Sequence, residues 1–174
     1  MNPELLWQAQ RAGKRALLLH GPRGSGKTSA VLALSAALSA RGVALDGVAS
    51  PRLLRDGRTV GYWVRRLRTG EERLLCSTEP PGLPYGRFFF RPEALAFANA
   101  VLARAAKEAA IVVVDEVGPL ELQGGGFLPG LQACLSSRAF LVLTVRPALV
   151  AAVASWFGEE ALLVPVVGAL LPPP

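Results

Sequence analysis

The residues of this chain with the clearest chemical meaning form a glycine-rich pattern, G-x-x-x-x-G-K-[ST]. The pattern consists of Gly21, Pro22, Arg23, Gly24, Ser25, Gly26, Lys27 and Thr28. The apolar residues 15–20 before it indicate a buried strand, and the Ala- and Leu-rich residues 29–40 after it indicate a helix. A strand, a glycine loop and a helix N-terminus together let backbone N–H groups converge on phosphate. We therefore predict that residues 21–28, together with Ser29, bind the phosphates of a nucleotide.

Two side chains of this loop have specific expected roles. Lys27 is expected to reach the β- and γ-phosphates, and the Thr28 hydroxyl is expected to complete the shell of a Mg²⁺ ion. A chance match in a Gly-rich chain is the alternative interpretation. At an average Gly content of about 7%, the four fixed positions coincide on the order of once in several hundred chains of this length. The flanking strand and helix lower that frequency further.

Two adjacent acids follow a continuous apolar run. Residues 110–114 predict a strand buried on both faces, and Asp115 and Glu116 come directly after it. Ligands of parallel sheets gather at the carboxyl ends of the strands, so we expect both carboxylates to face the phosphate loop. Asp115 is expected to hold Mg²⁺ through water, and Glu116 to orient or deprotonate a water that attacks the γ-phosphate. The alternative is that these acids only cap the following helix.

A further candidate lies at the end of another predicted strand, residues 139–145. This strand ends in Thr144 and Val145, and Arg146 follows it. A polar group at this tip could sense the γ-phosphate, and Arg146 could stabilise negative charge in the transition state. A helix-capping or surface role explains Arg146 equally well. We therefore include it as a catalytic candidate beside Lys27 and Glu116.

The remaining patterns predict one α/β domain over residues 1–174, with an antiparallel insertion at about residues 43–76. The dipeptide Asp56-Gly57 is a hairpin signal between strand-like residues 43–54 and 59–67. We expect this ribbon to project from the sheet and residues 77–86 to form a loop. A helix is predicted over residues 92–108, beginning at Pro92. A last strand is predicted over residues 162–167, with residues 172–174 frayed.

Positive charge is concentrated in the predicted hairpin region. Of the net charge of +6, residues 52–73 carry +4, because seven arginines outnumber three acids there. A nucleic-acid surface is one interpretation, since electrostatics supplies much of the affinity for such ligands. A solvated hairpin face, or arginines that close over nucleotide phosphates, are the favoured alternatives.

The composition argues against several classes of protein. A content of 51% hydrophobic and 18% charged residues argues against disorder. The uncharged, largely apolar residues 161–174 are fewer than the roughly 18 residues of a membrane span, and the N-terminal residues do not resemble a secretory signal. The two cysteines, Cys76 and Cys134, and the one histidine, His20, offer little material for disulfides, zinc sites or Ser-His catalysis. We expect a cytoplasmic protein without membrane association.

Four segments resemble the small P-loop nucleoside-triphosphatase family, of the cancer-related nucleoside-triphosphatase type. They are residues 21–28, residues 47–61 with their Gly57-Arg58 turn, residues 85–88 (Tyr-Gly-Arg-Phe), and residues 114–122, where the family reads D-E-[IV]-G-x-[ML]-E. The resemblance covers about residues 17–157. It implies an α/β P-loop NTPase fold, a three-layer sandwich with a mostly parallel sheet and an inserted antiparallel β-hairpin. In such proteins another strand separates the acidic strand from the loop strand.

The resemblance also implies an activity. It implies Mg²⁺-dependent hydrolysis of nucleoside triphosphates (ATP, GTP, CTP, UTP) to diphosphate and phosphate, with broad base tolerance. By position, Lys27 and Thr28 serve phosphate and metal, Asp115 serves metal and Glu116 serves water. Pro119 departs from the family, which often has a basic residue there, so Arg146 or a hairpin arginine could take over phosphate sensing. A monomer is expected.

Other function classes stay open from the sequence. A nucleotide or small-molecule kinase would use the same loop to pass phosphate to an acceptor held by the hairpin and residues 77–91. An RNA- or DNA-stimulated ATPase would use the arginines of residues 52–73. A GTPase switch is less favoured, because the chain has no N-K-x-D run to read guanine. Phosphate release without an acceptor would separate the hydrolase from the kinase.

Overall fold

The computed structural model describes residues 3–166, which are arranged around one mixed sheet of ten strands. Five parallel strands form one half and follow each other across the sheet in the order β10 (Ala161–Pro165), β1 (Ala16–His20), β9 (Phe140–Val145), β8 (Ile111–Val117) and β2 (Leu45–Ala49). The other half is antiparallel and consists of β3 (Arg52–Arg55), β4 (Arg58–Arg66), β5 (Glu72–Ser77), β6 (Leu83–Tyr85) and β7 (Phe88–Phe90). Strand β9 thus separates β1 from β8, as the family resemblance implies.

Helices cover both faces of the sheet. The helices are α1 (Glu4–Arg11), α2 (Lys27–Ser39), α3 (Pro92–Glu108), α4 (Pro119–Leu122), α5 (Leu128–Leu135) and α6 (Val150–Ala154), with single 3₁₀ turns at Pro147–Leu149 and Gly158–Glu160. Residues of α1 and α2 belong to one apolar cluster, and residues of α3, α5 and α6 belong to another. The expected three-layer α/β sandwich is confirmed. Within residues 3–166, none of the helices combines the length and apolar character that a membrane span requires.

The apolar runs of the parallel strands supply both clusters. Leu17 and Leu19 of β1 pack with α1 and α2, whereas Ala16 and Leu18 face the cluster that contains α3 and α5. All four are completely buried. Successive side chains of a strand point to opposite faces, so a strand covered on both sides must be apolar throughout. This is why these strands read as continuous rather than alternating runs.

Several predicted elements match the structure. Helix α3 has the predicted bounds, and α2 begins two residues earlier than predicted, inside the glycine pattern. The hairpin turn is correct: Asp56 and Gly57 join β3 and β4 with φ values of 50° and 72°, the positive values that a tight hairpin turn requires. The end of the predicted last strand, residue 167, and residues 172–174 lie outside the described part of the chain.

Other expectations about the ribbon were wrong. It does not project from the sheet, because Val48 and Ala49 of β2 pair with Arg66 and Arg65 of β4 and continue the same sheet. The predicted run 43–54 is therefore two strands, separated at Ser50, and only the second belongs to the ribbon. The antiparallel half extends to Phe90, since the predicted loop 77–86 contains β6. Helix α1 was not predicted.

Most arginines of residues 52–73 have structural partners. The fully buried Asp46 accepts hydrogen bonds from the Arg66 guanidinium at 2.6 and 2.9 Å, and this contact raises the pKa of Arg66. Four further arginines of the segment form ion pairs, namely Arg55, Arg65, Arg68 and Arg73. This pairing favours the interpretation of the segment as a hairpin face over a nucleic-acid surface.

A glycine fixes the junction between the two halves of the sheet. Gly47 has a φ of 136°, and a Cβ there would lie 2.0 Å from the Val113 carbonyl oxygen of β8. We expect Gly47→Ala to lower the free energy of unfolding by about 2–3 kcal/mol, through backbone strain and overlap with β8. Gly57→Ala is the control, because its φ is 72° but a Cβ there meets nothing within 4 Å. Urea denaturation that gives equal losses for both variants would contradict the steric argument.

Candidate active site

The glycine pattern forms a loop between β1 and α2, as the sequence predicts. Gly24 and Gly26 have φ values of 83° and 88°, a region that side chains disfavour, and α2 begins at Lys27 directly after them. The Lys27 ammonium donates hydrogen bonds to the carbonyl oxygens of Gly21 at 2.9 Å and Pro22 at 3.0 Å. The loop thus curls around the lysine, and the helix N-terminus presents free N–H groups to an anion.

The electrostatic surroundings of Lys27 identify its neighbours. Burial lowers the pKa of this ammonium, the charges of Glu116 and Asp115 raise it, and the positive charges of Arg146 and Arg52 lower it. All four of these side chains therefore lie near the loop lysine. They come from β8, from the end of β9 and from the start of β3, and the sequence alone does not show that these three places lie close together.

A β-bulge positions the acidic pair. Between Val114 and Val117, strand β8 has one residue more than its partner β9, since these residues pair with Leu143 and Val145. Glu116 has a φ of 65°, a strained value for a residue other than glycine. Its N–H, displaced from the ladder, donates to the Thr144 hydroxyl at 2.7 Å. A regular strand would direct the two carboxylates to opposite faces, and the extra residue changes that direction.

Asp115 is completely buried and held by three hydrogen-bond donors. Burial raises the pKa of its carboxyl group, whereas the Thr144 hydroxyl, the Ser50 N–H and the Thr28 hydroxyl lower it. The Thr144 hydroxyl donates to Oδ1 at 2.5 Å and the Ser50 N–H to Oδ2 at 3.0 Å. A carboxylate beside a threonine hydroxyl offers the hard oxygen ligands that Mg²⁺ prefers, with phosphates and water completing the shell. Thr28 and Asp115 therefore fit a Mg²⁺ site.

Glu116 and Arg146 face each other at the edge of this site. An Arg146 nitrogen lies 3.5 Å from a Glu116 carboxylate oxygen, and both side chains are partly exposed, at 39% and 29%. Glu116 also lines a cavity of about 350 Å³, here called the phosphate cavity, whose lining includes Gly24, Gly26, Lys27, Thr28, Ser29 and Arg52. The structure thus brings together the predicted residues Lys27, Thr28, Asp115, Glu116 and Arg146.

Arg52 is a site residue that the sequence did not single out. It begins β3, directly after the Ser50-Pro51 link between the two halves of the sheet, and it lines the phosphate cavity. One of its guanidinium nitrogens lies 3.4 Å from where a Cβ of Gly24 would be. The excess of arginine in residues 52–73 was the available signal, but it could not distinguish this residue from its six neighbours.

Comparisons with known proteins agree with this geometry. A family model described as NTPase matches residues 16–161. The chain belongs to the NTPase family. The nucleoside-triphosphatase THEP1 of Thermofilum pendens is 35% identical over 131 residues, which cover 74% of this chain and 72% of the relative. The nucleoside-triphosphatase THEP1 of Thermococcus kodakarensis is 31% identical over 135 residues, covering 75% of each chain.

Solved structures of other NTPase-family proteins share the fold. The solution structure of a human cancer-related nucleoside triphosphatase has a TM-score of 0.68 and 24% identity, over 87% of this chain and 88% of that one. The crystal structure of THEP1 from Aquifex aeolicus has a TM-score of 0.70 and 19% identity, over 88% of this chain and 91% of that one. At these identities the likeness concerns the P-loop α/β fold and not the details of the site.

The structure adds detail to several expectations about this NTPase site. Thr144, the polar group at the tip of β9, is completely buried and its hydroxyl donates to Asp115, so phosphate sensing by this residue stays a prediction. Arg23, within the glycine pattern, lines a cavity beside the phosphate cavity, and its part in nucleotide binding stays a prediction. The acids do not merely cap a helix, since Asp115 accepts hydrogen bonds from Ser50 and Thr144, which belong to other parts of the sheet.

The last acid of the family motif has a structural role. Glu121 is 5% exposed, and its two carboxylate oxygens accept the N–H groups of Gly118 at 2.8 Å and Phe127 at 3.0 Å. Burial raises the pKa of this carboxyl group, and these two N–H donors lower it.

The two cysteines are free and buried, and burial raises their thiol pKa values to about 11 for Cys76 and about 12 for Cys134. None of these groups is arranged as a nucleophile.

Variants of Thr144 test whether its hydroxyl, which binds the bulge, supports stability and phosphate release. We expect Thr144→Val to lower the free energy of unfolding by about 1–3 kcal/mol, because it leaves Glu116 N–H and an Asp115 oxygen without a partner. Phosphate release should fall with it, since the carboxylate loses its orientation. Thr144→Ser keeps the hydroxyl and should retain both properties. Equal behaviour of the two variants in thermal denaturation and phosphate release would contradict this role.

Proposed function

We propose that this NTPase-family protein hydrolyses nucleoside triphosphates to diphosphate and phosphate with Mg²⁺ and with broad base tolerance. The observation that carries the proposal is the arrangement at the carboxyl ends of β1 and β8: Lys27, Thr28 and Glu116 line the phosphate cavity, and the buried Asp115 lies behind it in contact with the Thr28 hydroxyl. A phosphate loop, an acid suited to a metal and an acid suited to water are the parts that such hydrolysis requires. The names of the relatives, nucleoside-triphosphatase THEP1, support the same reaction.

Each residue has a defined part in this proposal. Lys27 and the N–H groups of the loop bind the β- and γ-phosphates, and Thr28 and Asp115 hold Mg²⁺, which neutralises charge on those phosphates. Glu116 accepts a proton from the attacking water, because its partly exposed carboxylate faces the cavity. Arg146, 3.5 Å from Glu116, and Arg52 stabilise the negative charge that develops on the transferred phosphoryl group.

Phosphate release from ATP, GTP, CTP and UTP, measured separately without an acceptor, tests the proposal. We expect release from all four at rates within about tenfold of one another. This range corresponds to a difference in activation free energy of at most about 1.4 kcal/mol. Addition of EDTA should abolish release in every case. Release from one nucleotide only would contradict base tolerance, and release in EDTA would contradict the metal requirement. Absence of release from all four would contradict the hydrolytic activity itself.

Arg52 gives a second test of the site. We expect Arg52→Gln to raise KM for ATP about five- to tenfold, because a guanidinium–phosphate hydrogen bond is charge-assisted and lost on substitution. Arg58→Gln is the matched control: Arg58 is an exposed arginine of the same hairpin, in β4, and it does not line the phosphate cavity. Steady-state kinetics that show the same KM for both variants would remove Arg52 from the site.

A further inference from the structure

A second cavity lies beside the phosphate cavity. It has a volume of about 310 Å³ and is here called the aromatic cavity. Ser50, Tyr62 and Glu116 line both cavities, whereas Lys27 and Thr28 line only the phosphate cavity. The aromatic cavity therefore meets the site at Ser50, Tyr62 and Glu116 and does not include the lysine and threonine of the loop. Pockets for small molecules span about 300–1,000 Å³, so this cavity suits a compact ligand.

The walls of this cavity are aromatic and come mainly from the antiparallel half of the sheet. Tyr62 and Phe88 meet edge to face with ring centroids 5.6 Å apart, and Tyr85 and Phe90 do the same at 6.2 Å. All four rings line the cavity. Aromatic walls favour a planar ring, which gains both buried area and stacking or edge contacts.

Three arginines add positive charge to the same walls. Arg23, Arg87 and Arg146 line the cavity, and the Arg87 guanidinium lies 4.8 Å from the centroid of the Phe88 ring. Within residues 3–166, neither Arg23 nor Arg87 has an acidic partner within 4.0 Å. Of the two acids in the lining, Glu121 is bonded to backbone N–H groups and Glu116 faces Arg146. The cavity therefore has cationic groups left for an anion.

A buried hydroxyl adds a polar group at the boundary. Ser50 is 3% exposed, its Oγ has no hydrogen-bond partner among the described residues, and it lines both cavities. Buried polar groups are normally hydrogen-bonded, so an unpartnered hydroxyl beside two cavities indicates a ligand or water in one of them.

From these features we propose that the aromatic cavity binds a second small molecule: a planar aromatic ring, about the size of a nucleobase, that carries a phosphate or carboxylate group. The ring lies among Tyr62, Tyr85 and Phe88, and Arg23 and Arg87 bind the anionic group. The inference goes beyond the proposed hydrolysis, because binding can be measured whether or not the protein turns over. The ligand would lie beside Glu116, which lines both cavities.

Calorimetry on the full chain tests this site with the phosphate cavity already filled. The protein, saturated with ADP and Mg²⁺, is titrated with 1-naphthyl phosphate and with 1-naphthoate. Inorganic phosphate and 1-naphthol serve as the anion and the ring alone. We expect at least one aromatic anion to bind tenfold or more tightly than either fragment. The two aromatic anions distinguish a phosphate ligand from a carboxylate ligand.

Two variants locate the binding. Arg87→Gln and Tyr85→Ala should each weaken the aromatic anion about tenfold or more, and both residues are exposed enough to be replaced without unfolding. Arg58→Gln should leave the affinity unchanged. The proposal is overturned if aromatic anions bind no better than their fragments, or if ADP competes with them. Equal affinity of wild type, Arg87→Gln and Tyr85→Ala would overturn it as well.

Discussion

We expect Glu116→Gln to lower nucleoside-triphosphate turnover on the order of 10²-fold or more while leaving the binding of Mg²⁺ and nucleotide within about twofold. Glutamine keeps the size of the side chain but cannot accept the proton of the attacking water. Asp115, Thr28 and Lys27 are untouched, so the groups that bind phosphate and metal stay in place. The loss should therefore appear in kcat and not in KM.

The geometry around Glu116 makes this prediction specific. Its backbone is held at a φ of 65° by the bulge, and its N–H is bonded to Thr144, so the direction of the Cα–Cβ bond is fixed. Arg146 loses its ionic partner in the variant but keeps its place at the end of β9. The change thus removes one proton acceptor without rearranging the strand.

Single-turnover phosphate release and equilibrium binding of a fluorescent nucleotide measure the two expected effects. Glu93→Gln, an exposed acid in the first turn of α3, is the control and should behave as wild type. Normal turnover by Glu116→Gln would assign water activation to another group. Loss of binding together with turnover would indicate a structural role for Glu116 instead.

The sequence predicted the residues of the site more completely than the strand alignments that bring these residues together. The glycine pattern, the apolar run before Asp115 and the Pro92 start of α3 follow from local rules of spacing and chain stiffness, and these elements are confirmed. The bulge depends on the register between β8 and β9. Packing of the two strands sets this register, so neither strand's sequence predicts it alone. The role of Thr144 could not be predicted without that alignment.

The ribbon illustrates the same limit. Its turn at Asp56-Gly57 is local and was predicted, whereas the pairing of β4 with β2 joins residues about 17 apart and depends on the whole sheet. Arg52, at the start of β3, lines the phosphate cavity, and β3 is held on the sheet by its pairing with β4. Arg66, by contrast, is committed to the buried Asp46. Composition alone could not separate these two arginines.

Lys27→Ala is expected to lower kcat/KM for triphosphates by about 10²–10³-fold, the loss that follows removal of one strong electrostatic donor from an active site. Lys27 is 4% exposed, and its ammonium is held inside the loop by the carbonyl oxygens of Gly21 and Pro22. No other lysine is near, since the other two are Lys14 and Lys107. Phosphate-release kinetics measure the loss, and Lys107→Ala, on the exposed end of α3, is the control.

The melting temperature of Lys27→Met, a variant of similar side-chain volume, shows whether a loss of activity at this position is accompanied by a loss of stability. Burial lowers the pKa of Lys27 below its ordinary value of 10.5, so the charged form is less favoured in the folded protein than in the unfolded chain. Lys27→Met keeps the aliphatic stem and removes this cost, and we expect it to unfold at a temperature no lower than wild type while being equally inactive. A marked drop in melting temperature would mean that the two hydrogen bonds to Gly21 and Pro22 outweigh the burial of charge.

The pH dependence of this difference has a definite sign. As pH rises toward 10.5, the folded wild type loses the Lys27 proton before the unfolded chain does, so the unfolded state binds more protons and wild-type stability rises relative to Lys27→Met. Any advantage of the methionine variant should therefore shrink with increasing pH. Denaturant titrations of both proteins at neutral and alkaline pH measure it. An advantage that stays constant or grows would show that the burial of the lysine charge does not limit the stability of the phosphate loop.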